Sequence, residues 1–75
     1  SQGHAGSLFN LGQIYRKGVG LPRNLGIAID WYKKAAEQDY ADAQVNLGVI
    51  FALGEGVNTD NVYAYMWASL AAKKR

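Results

Sequence analysis

The stretch Gly54-Glu55-Gly56-Val57 decides the fold of this chain, together with its earlier copy, Gly18-Val19-Gly20-Leu21. Each copy follows a segment in which apolar residues recur at helical spacing, and each precedes another such segment. Glycine after the last periodic residue is typical of a helix C-terminus. We therefore predict a helix on either side of each motif, with positive φ at one or more of Gly18, Gly20, Gly54 and Gly56.

A shift of 36 residues aligns the first half of the chain with the second half, and no gap is needed. It superimposes Asn10-Leu11-Gly12 on Asn46-Leu47-Gly48, Trp31 on Trp67, and Ala35-Ala36 on Ala71-Ala72. An internal repeat of this length is the signature of stacked helix hairpins. The sequence therefore predicts an all-α fold with two units, residues 1–40 and 41–75, in one continuous solenoid.

Turn and capping signals place two helices in each unit. We expect the four helices at about residues 5–17, 25–38, 41–53 and 60–74. Pro22 disfavours helix at the residue before it, and Asn24 is suited to cap the second helix. Because the connecting turns are short, the two helices of each unit are expected to run antiparallel.

Repeated small and large side chains predict how these helices pack. Gly12 and Gly48 lie mid-helix, where glycine costs about 1 kcal/mol relative to alanine, so its repetition indicates the close approach of a neighbouring helix. We expect Trp31 to lie largely buried between the two hairpins, against Ala28 and Ala35.

The composition is that of one small globular domain. A chain of 75 residues buries about 60% of the surface that its unfolded form exposes. The absence of cysteine excludes disulfides and thiolate zinc sites and leaves the compartment open. No apolar segment approaches the roughly 20 residues of a membrane-spanning helix, so no membrane contact is expected. The chain starts at Ser1-Gln2 without methionine, which suggests a processed product or a piece of a longer protein.

The motifs resemble those of the Sel-one-like repeats, a family related to the tetratricopeptide repeats. The second unit carries Leu47-Gly48, Phe51, Gly54-Glu55-Gly56-Val57, Trp67 and Ala71-Ala72, and the first unit carries Leu11-Gly12, Tyr15, Gly18-Val19-Gly20, Trp31-Tyr32 and Ala35-Ala36. Three residues depart from the family pattern: Leu21 in place of valine, Ala68 in place of tyrosine, and Gly26 near a helix start. The resemblance implies a right-handed superhelix of helix pairs whose concave surface holds partner proteins or peptides.

No catalytic, metal or cofactor site is expected. His4 is the only histidine, and Tyr40 takes its place in the second unit, which suggests a spacer. The carboxylate pairs, Asp39 with Asp42 and Asp30 with Glu37, are explained by helix caps, first-turn acids and solvated faces. The glycine motifs follow no predicted strand and lack the Lys-Ser/Thr of a phosphate-binding loop. We therefore predict a protein that is not an enzyme.

Nucleic acid is not the expected partner either. The net charge is only +2, and the basic residues Arg16, Lys17, Arg23, Lys33 and Lys34 are scattered. RNA-reading helical repeats need a basic groove, which these residues do not form. The basic cluster Lys73-Lys74-Arg75 fits a helix C-terminus, where cations complement the helix dipole.

A partner-binding groove is predicted on the first helix of each unit, away from the core stripe of Leu8, Leu11 and Tyr15. The equivalent positions line the concave groove in the tetratricopeptide relatives, and here they are Phe9, Asn10, Gln13, Arg16 and Lys17, then Val45, Asn46, Val49 and Leu53. For the two asparagines a structural hydrogen bond between helices is an equally good interpretation. For Val49 and Leu53 the alternative is extra packing within the fold.

A self-association face is predicted on the last helix. Asp30 and Lys34 of the first unit become Met66 and Leu70 in the second. With Tyr63 and Trp67 they extend an apolar face that we expect to pack against another molecule, either a second copy or the next repeat of a longer parent. The predicted function is a non-catalytic scaffold that binds a protein or peptide. Structural self-assembly is the alternative.

Overall fold

The computed structural model describes residues 2–73, and for residues 2 and 3 it describes the backbone alone. Over this range the chain forms four helices and no strand: α1 (Gln2–Lys17), α2 (Leu25–Glu37), α3 (Ala41–Leu53) and α4 (Asn61–Ala72). The predicted all-α class is confirmed. Four helix ends differ by one to three residues from the expected positions: α1 begins at Gln2, α2 ends at Glu37, and α4 spans Asn61–Ala72. Lys73 follows α4 as its C-cap, while Lys74 and Arg75 of the predicted basic cluster lie outside the described residues.

Polar caps start the second helix of each repeat. Oδ1 of Asn24 accepts a hydrogen bond from the N–H of Ile27 at 3.0 Å, which confirms the predicted cap. At the equivalent place in the second repeat, Oδ1 of Asp60 accepts one from the N–H of Tyr63 at 2.9 Å. Each cap satisfies a backbone donor that the first turn of a helix leaves without an intrahelical partner.

The glycine motifs end α1 and α3 with left-handed backbone. The angle φ lies between +70° and +76° at Gly18, Gly20, Gly54 and Gly56, which confirms the predicted positive values. The N–H of Gly54 still donates to the carbonyl of Ile50 at 2.9 Å before the chain turns. An L side chain adopts such angles only at a steric cost, so the motifs determine where these helices stop.

The helices pack in chain order into a thin slab. α1 packs on α2, α3 packs on α4, and α2 packs on α3 to join the two repeats. The Cα atoms extend over 34 × 30 × 14 Å, and a thickness of 14 Å accommodates only two layers of helices. The core is therefore a layer between the helices, and every helix keeps one side at the surface.

Alanines and a few large side chains from α2 and α3 fill the junction between the repeats. The residues there with at most 5% exposure are Ala28, Ile29, Tyr32, Ala35 and Ala36 from α2, and Ala43, Leu47 and Ile50 from α3. Gln44 is also buried, and its Nε2 donates to the carbonyl of Ala36 at 3.1 Å. The two repeats are thus joined mainly by apolar contact.

The mid-helix glycines allow the close helix approach that the sequence predicts. A methyl group at Gly12 would lie 2.7 Å from Cδ1 of Tyr32 and 3.2 Å from the carbonyl oxygen of Ala28. A methyl group at Gly48 would lie 3.3 Å from the carbonyl oxygen of Ala64. In both repeats, the backbone of the second helix therefore rests against the glycine of the first helix.

Tyr32, and not Trp31, is the fully buried aromatic residue of α2. Tyr32 has no exposed surface, whereas Trp31 is half-buried with Nζ of Lys34 at 5.0 Å from its ring centroid. Trp31 is only partly buried, and it packs against the core, so the predicted burial of Trp31 is found in part. Adjacent residues on a helix point about 100° apart, so Tyr32 and Trp31 cannot both point to the centre of the core.

Candidate functional site

Two side chains of the predicted groove in α1 contact aromatic residues of the first repeat. The ring of Phe9 lies 5.6 Å from the ring of Tyr32 and 5.3 Å from that of Tyr40, measured between centroids. The hydroxyl of Tyr32 donates a hydrogen bond to Oε1 of Gln13. Phe9 and Gln13 therefore shape the wall of the groove, and little of either is free to contact a partner.

Arg16 forms an ion pair that connects α1 to the second glycine motif. Its Nη2 and Nε donate to the two carboxylate oxygens of Glu55, at 3.0 and 3.3 Å. Arg23 reaches the same carboxylate at 3.5 Å, and its Nε donates to the carbonyl of Arg16 at 2.9 Å. The hydrogen bond from Arg16 holds the pKa of Glu55 below its usual value, so this carboxylate is ionised at neutral pH.

A cleft opens beside this ion cluster, and we call it the inter-repeat cleft. It has a volume of about 530 Å³ and is lined by Gln13, Arg16, Lys17, Arg23, Asn46 and Glu55. Three of these side chains are cationic and only Glu55 is anionic, which leaves two positive charges in excess. Lys17 is exposed and forms no ion pair with any residue in the described range. The cleft is therefore chemically suited to a carboxylate.

Amide and apolar side chains continue this surface along α1 and α3. Asn46 lies half-buried in the lining and Asn10 is exposed, and neither side chain hydrogen-bonds to another residue that the structure describes. Leu53 is 71% exposed, and Val49 is 41% exposed but belongs to the surface on the open side of α3 and not to the cleft.

A second concave surface lies on the open side of α3 and α4, and we call it the end face. Its volume is about 700 Å³, and its lining includes Val45, Gly48, Val49, Ala52, Tyr65 and Ala68. One repeat earlier, these positions are Phe9, Gly12, Gln13, Arg16, Ile29 and Tyr32, all of which belong to the surface of the first repeat that faces the second. The end face is thus an uncovered copy of the junction surface.

The residue that makes the end face hollow is Ala68. In the first repeat the ring of Tyr32 covers Gly12 and is fully buried, whereas in the second repeat an exposed methyl group stands at the same place near Gly48. The missing ring leaves a shallow surface of small side chains on α3 and α4.

The family model of the Sel1 repeat matches residues 5–40 and matches again over residues 41–75. The chain belongs to the Sel1 repeat family. Solved structures of the family share its architecture: a Sel1 repeat protein from Oxalobacter formigenes superimposes with a TM-score of 0.90 at 40% sequence identity, over 93% of this chain and 29% of that one. The protective antigen c5321 of uropathogenic Escherichia coli, which has an SLR fold, gives the same TM-score and identity over 97% of this chain and 16% of its own.

Curated relatives with Sel1-like sequence are much longer than this chain. "DAP3-binding cell death enhancer 1" of Rattus norvegicus is 43% identical over 51 residues, which are 68% of this chain and 10% of the relative. "Chitin synthase regulatory factor 3" of Schizosaccharomyces pombe is 37% identical over 75 residues, 96% of this chain and 8% of the relative. The chain thus spans about a tenth of the length of these relatives. Sel1 repeat proteins are generally non-catalytic scaffolds for protein–protein interaction.

The Sel1 hairpin of α3 and α4 presents the predicted self-association face only in part. Met66 and Leu70 are 39% and 38% exposed, and Tyr63 is half-buried. Trp67 is 7% exposed and packs edge-on against Tyr63 at 5.9 Å between centroids. The indole of Trp67 therefore lies beneath this face and not on it.

Sequence reasoning missed three residues that shape the two concave surfaces: Glu55, Tyr65 and Ala68. The sequence holds a signal for Ala68, since alanine replaces the tyrosine of the Sel1 pattern there, but the hollow that results is visible only in the packed structure. No comparable signal marks Glu55, because its pairing with Arg16 spans 39 residues.

The described residues contain no group of three or more His, Asp or Glu side chains that could hold a metal ion. His4 is exposed at the first turns of α1. Between residues 2 and 73 no helix is both long enough and apolar enough to cross a bilayer.

Proposed function

We propose that this Sel1 repeat pair binds a partner protein through an acidic segment that enters the inter-repeat cleft. The observation that carries the proposal is the charge of the lining, in which Arg16, Lys17 and Arg23 face a single carboxylate. Because the Arg16–Glu55 pair is satisfied internally, Lys17 and the outer edge of Arg23 are the cations available to a carboxylate of the partner.

The surroundings of the cleft suit an extended peptide. Asn46 offers an amide group in its lining, and amides can hydrogen-bond to the main chain of a peptide. Leu53 occupies in α3 the position that Lys17 occupies in α1, and it is 71% exposed. A partner segment would match Lys17 with an acidic residue and Leu53 with an apolar residue, the two being separated by the distance between equivalent positions of the two repeats. The names of the two curated relatives, a "DAP3-binding" protein and a "regulatory factor", support a protein partner.

A peptide array tests this proposal. Peptides of about ten residues that combine one Glu and one Leu at varied spacing are compared with matched peptides that carry Gln in place of Glu. We expect binding only to the Glu series, with affinity that falls as salt is added. Lys17→Gln should weaken binding roughly two- to fivefold, as expected for one exposed ion pair. Lys34→Gln removes a charge outside the cleft and should bind as the parent does.

Equal binding of the Glu and Gln series would contradict the proposal. So would tighter binding of a single-stranded RNA oligomer than of any acidic peptide, since that result would make the cationic lining a nucleic-acid site.

Self-assembly is the second candidate function, and a separate observation favours it. The end face is apolar and uncovered, although the equivalent surface of the first repeat is buried by α3. Exposed apolar surfaces of this kind typically mark interaction sites.

A further inference from the structure

We propose that the end face of one copy binds the opposite end of a second copy, so that copies stack head to tail in the register of the two repeats. The inference rests on the second candidate function and names the two surfaces that would meet. The second repeat contacts the first repeat through one of its surfaces. The equivalent surface of the first repeat lies at the opposite end of the molecule, and we call it the start face. Its main residues are Leu11, Ile14, Val19, Ile27 and Trp31.

The start face is apolar and uncovered. At the internal junction Leu47 and Ile50 are completely buried. Their equivalents one repeat earlier, Leu11 and Ile14, are only half-buried, and Val19 is 61% exposed. The chain therefore carries the two halves of its internal junction a second time, one at each end, and both halves are open.

The ion pair of the internal junction is replaced by apolar residues on both open faces. At the internal junction Arg16 pairs with Glu55. In a head-to-tail junction the place of Arg16 is taken by Ala52 of one copy and the place of Glu55 by Val19 of the next. Both partners of the ion pair have thus become apolar together. At these two positions stacking therefore leaves no charge without a partner, which would oppose association. The one carboxylate in the lining of the end face is Asp42, and it is exposed.

A second polar contact of the internal junction also has both of its partners replaced at the open faces. Nζ of Lys33 lies 5.7 Å from the ring centroid of Tyr63 across the two repeats. The equivalent residues at the open faces are Ser69 and Ile27. An unrelated partner gives no reason for both sides to change together, whereas a second copy does.

In α4 the aromatic ring that is missing at Ala68 is found one turn earlier, at Tyr65. The first repeat carries Ile29 and then, one turn later, Tyr32, whereas the second repeat carries Tyr65 and then Ala68. The aromatic ring has thus moved by one turn. Ile29 is 5% exposed and Tyr65 is 75% exposed, so a stacked second copy would bury the Tyr65 ring, one turn from the hollow over Ala68.

Stacking of this kind does not close. The end face and the start face are different surfaces, so each added copy leaves one of each kind free, and association continues beyond the dimer.

Complementary charge variants test the register. Ala52→Arg places the first repeat's cation on the end face, and Val19→Glu places the second repeat's anion on the start face. Both positions are exposed, so each variant is expected to fold as the parent does, as checked by circular dichroism. Sedimentation equilibrium of the parent should show mass that rises with concentration. Each variant alone should associate at least roughly tenfold more weakly, because its new charge has no partner at the junction.

Mixing the two variants should restore association to about the level of the parent, since the introduced arginine of one copy then meets the introduced glutamate of the next, as Arg16 meets Glu55 within the chain. Three results would overturn the proposal: a parent that stays monomeric at millimolar concentration, a mixture that stays as dissociated as its components, or a Val19→Glu variant that associates like the parent. None of these results bears on the peptide proposal, because Lys17 lies on neither face and peptide binding is measured separately with the Val19→Glu variant.

Discussion

Tyr32 is the side chain on which the packing of α2 against α1 depends. Its ring covers Gly12, packs against Phe9 and donates a hydrogen bond to Gln13, and none of its surface is exposed. Truncation of a buried aromatic residue to alanine costs about 3–5 kcal/mol, which is comparable with the whole stability of so small a domain. Tyr32→Ala should therefore leave the chain largely unfolded, whereas Trp31→Ala should cost less, about 1–2 kcal/mol, because Trp31 is only partly buried.

Urea unfolding followed by circular dichroism distinguishes these two variants. Tyr32→Phe is the matched control, since it keeps the ring and loses only the hydrogen bond to Gln13, at a cost of about 1 kcal/mol. A Trp31→Ala variant less stable than Tyr32→Ala would show that the burial of the two aromatic residues is assigned the wrong way round.

At the scale of the helix, the equivalent glycines of α1 and α3 have different surroundings. In α1 a methyl group at Gly12 would overlap the Tyr32 ring at 2.7 Å. In α3 a methyl group at Gly48 would meet the Ala64 carbonyl at 3.3 Å and Cβ of Ala68 at 3.7 Å, which is close to ordinary contact. The same substitution is therefore expected to act differently in the two repeats.

Gly12→Ala should lower the free energy of unfolding by roughly 1–3 kcal/mol, because overpacking outweighs the gain in helix propensity. Gly48→Ala should stay within about 0.5 kcal/mol of the parent, since a propensity gain of about 1 kcal/mol offsets the tight contact. Thermal melts of the two variants measure the difference directly. Equal shifts of the two melting temperatures would mean that the Tyr32 ring does not rest on Gly12.

At the scale of the whole molecule, the Arg16–Glu55 pair makes the joining of the repeats dependent on pH. The hydrogen bond from Arg16 holds the pKa of Glu55 below its ordinary value of 4.5. A carboxylate whose pKa is depressed by folding stabilises the fold above its unfolded pKa, and this contribution is lost as the pH falls through the folded pKa. The pair is partly exposed, so its contribution at neutral pH is at most about 1 kcal/mol.

Urea unfolding of the parent and of Glu55→Gln, measured between pH 7 and pH 2, isolates this contribution. The parent should be the more stable protein at pH 7, and the difference between the two should shrink below about pH 4.5 as Glu55 becomes protonated. The other carboxylates titrate equally in both proteins and cancel. A difference that stays constant over the whole range would show that the ion pair does not stabilise the junction.

Local signals in the sequence by themselves determined the class of fold, the two repeats and the turns between their helices. A left-handed backbone angle favours glycine, and a helix start favours Asn or Asp. Both signals recur with a period of 36 residues. Each of these features therefore depends on only a few adjacent residues. The close approach at Gly12 and Gly48 could be predicted for the same reason. Only the tertiary structure decided which of two adjacent aromatic residues is buried, which groove residues are used internally, and where the open surfaces lie. Those outcomes depend on how one hairpin is rotated against the next, and contacts such as Arg16 with Glu55 join residues far apart in the chain. The two concave surfaces on which the proposals rest therefore became visible only once the two repeats were packed together.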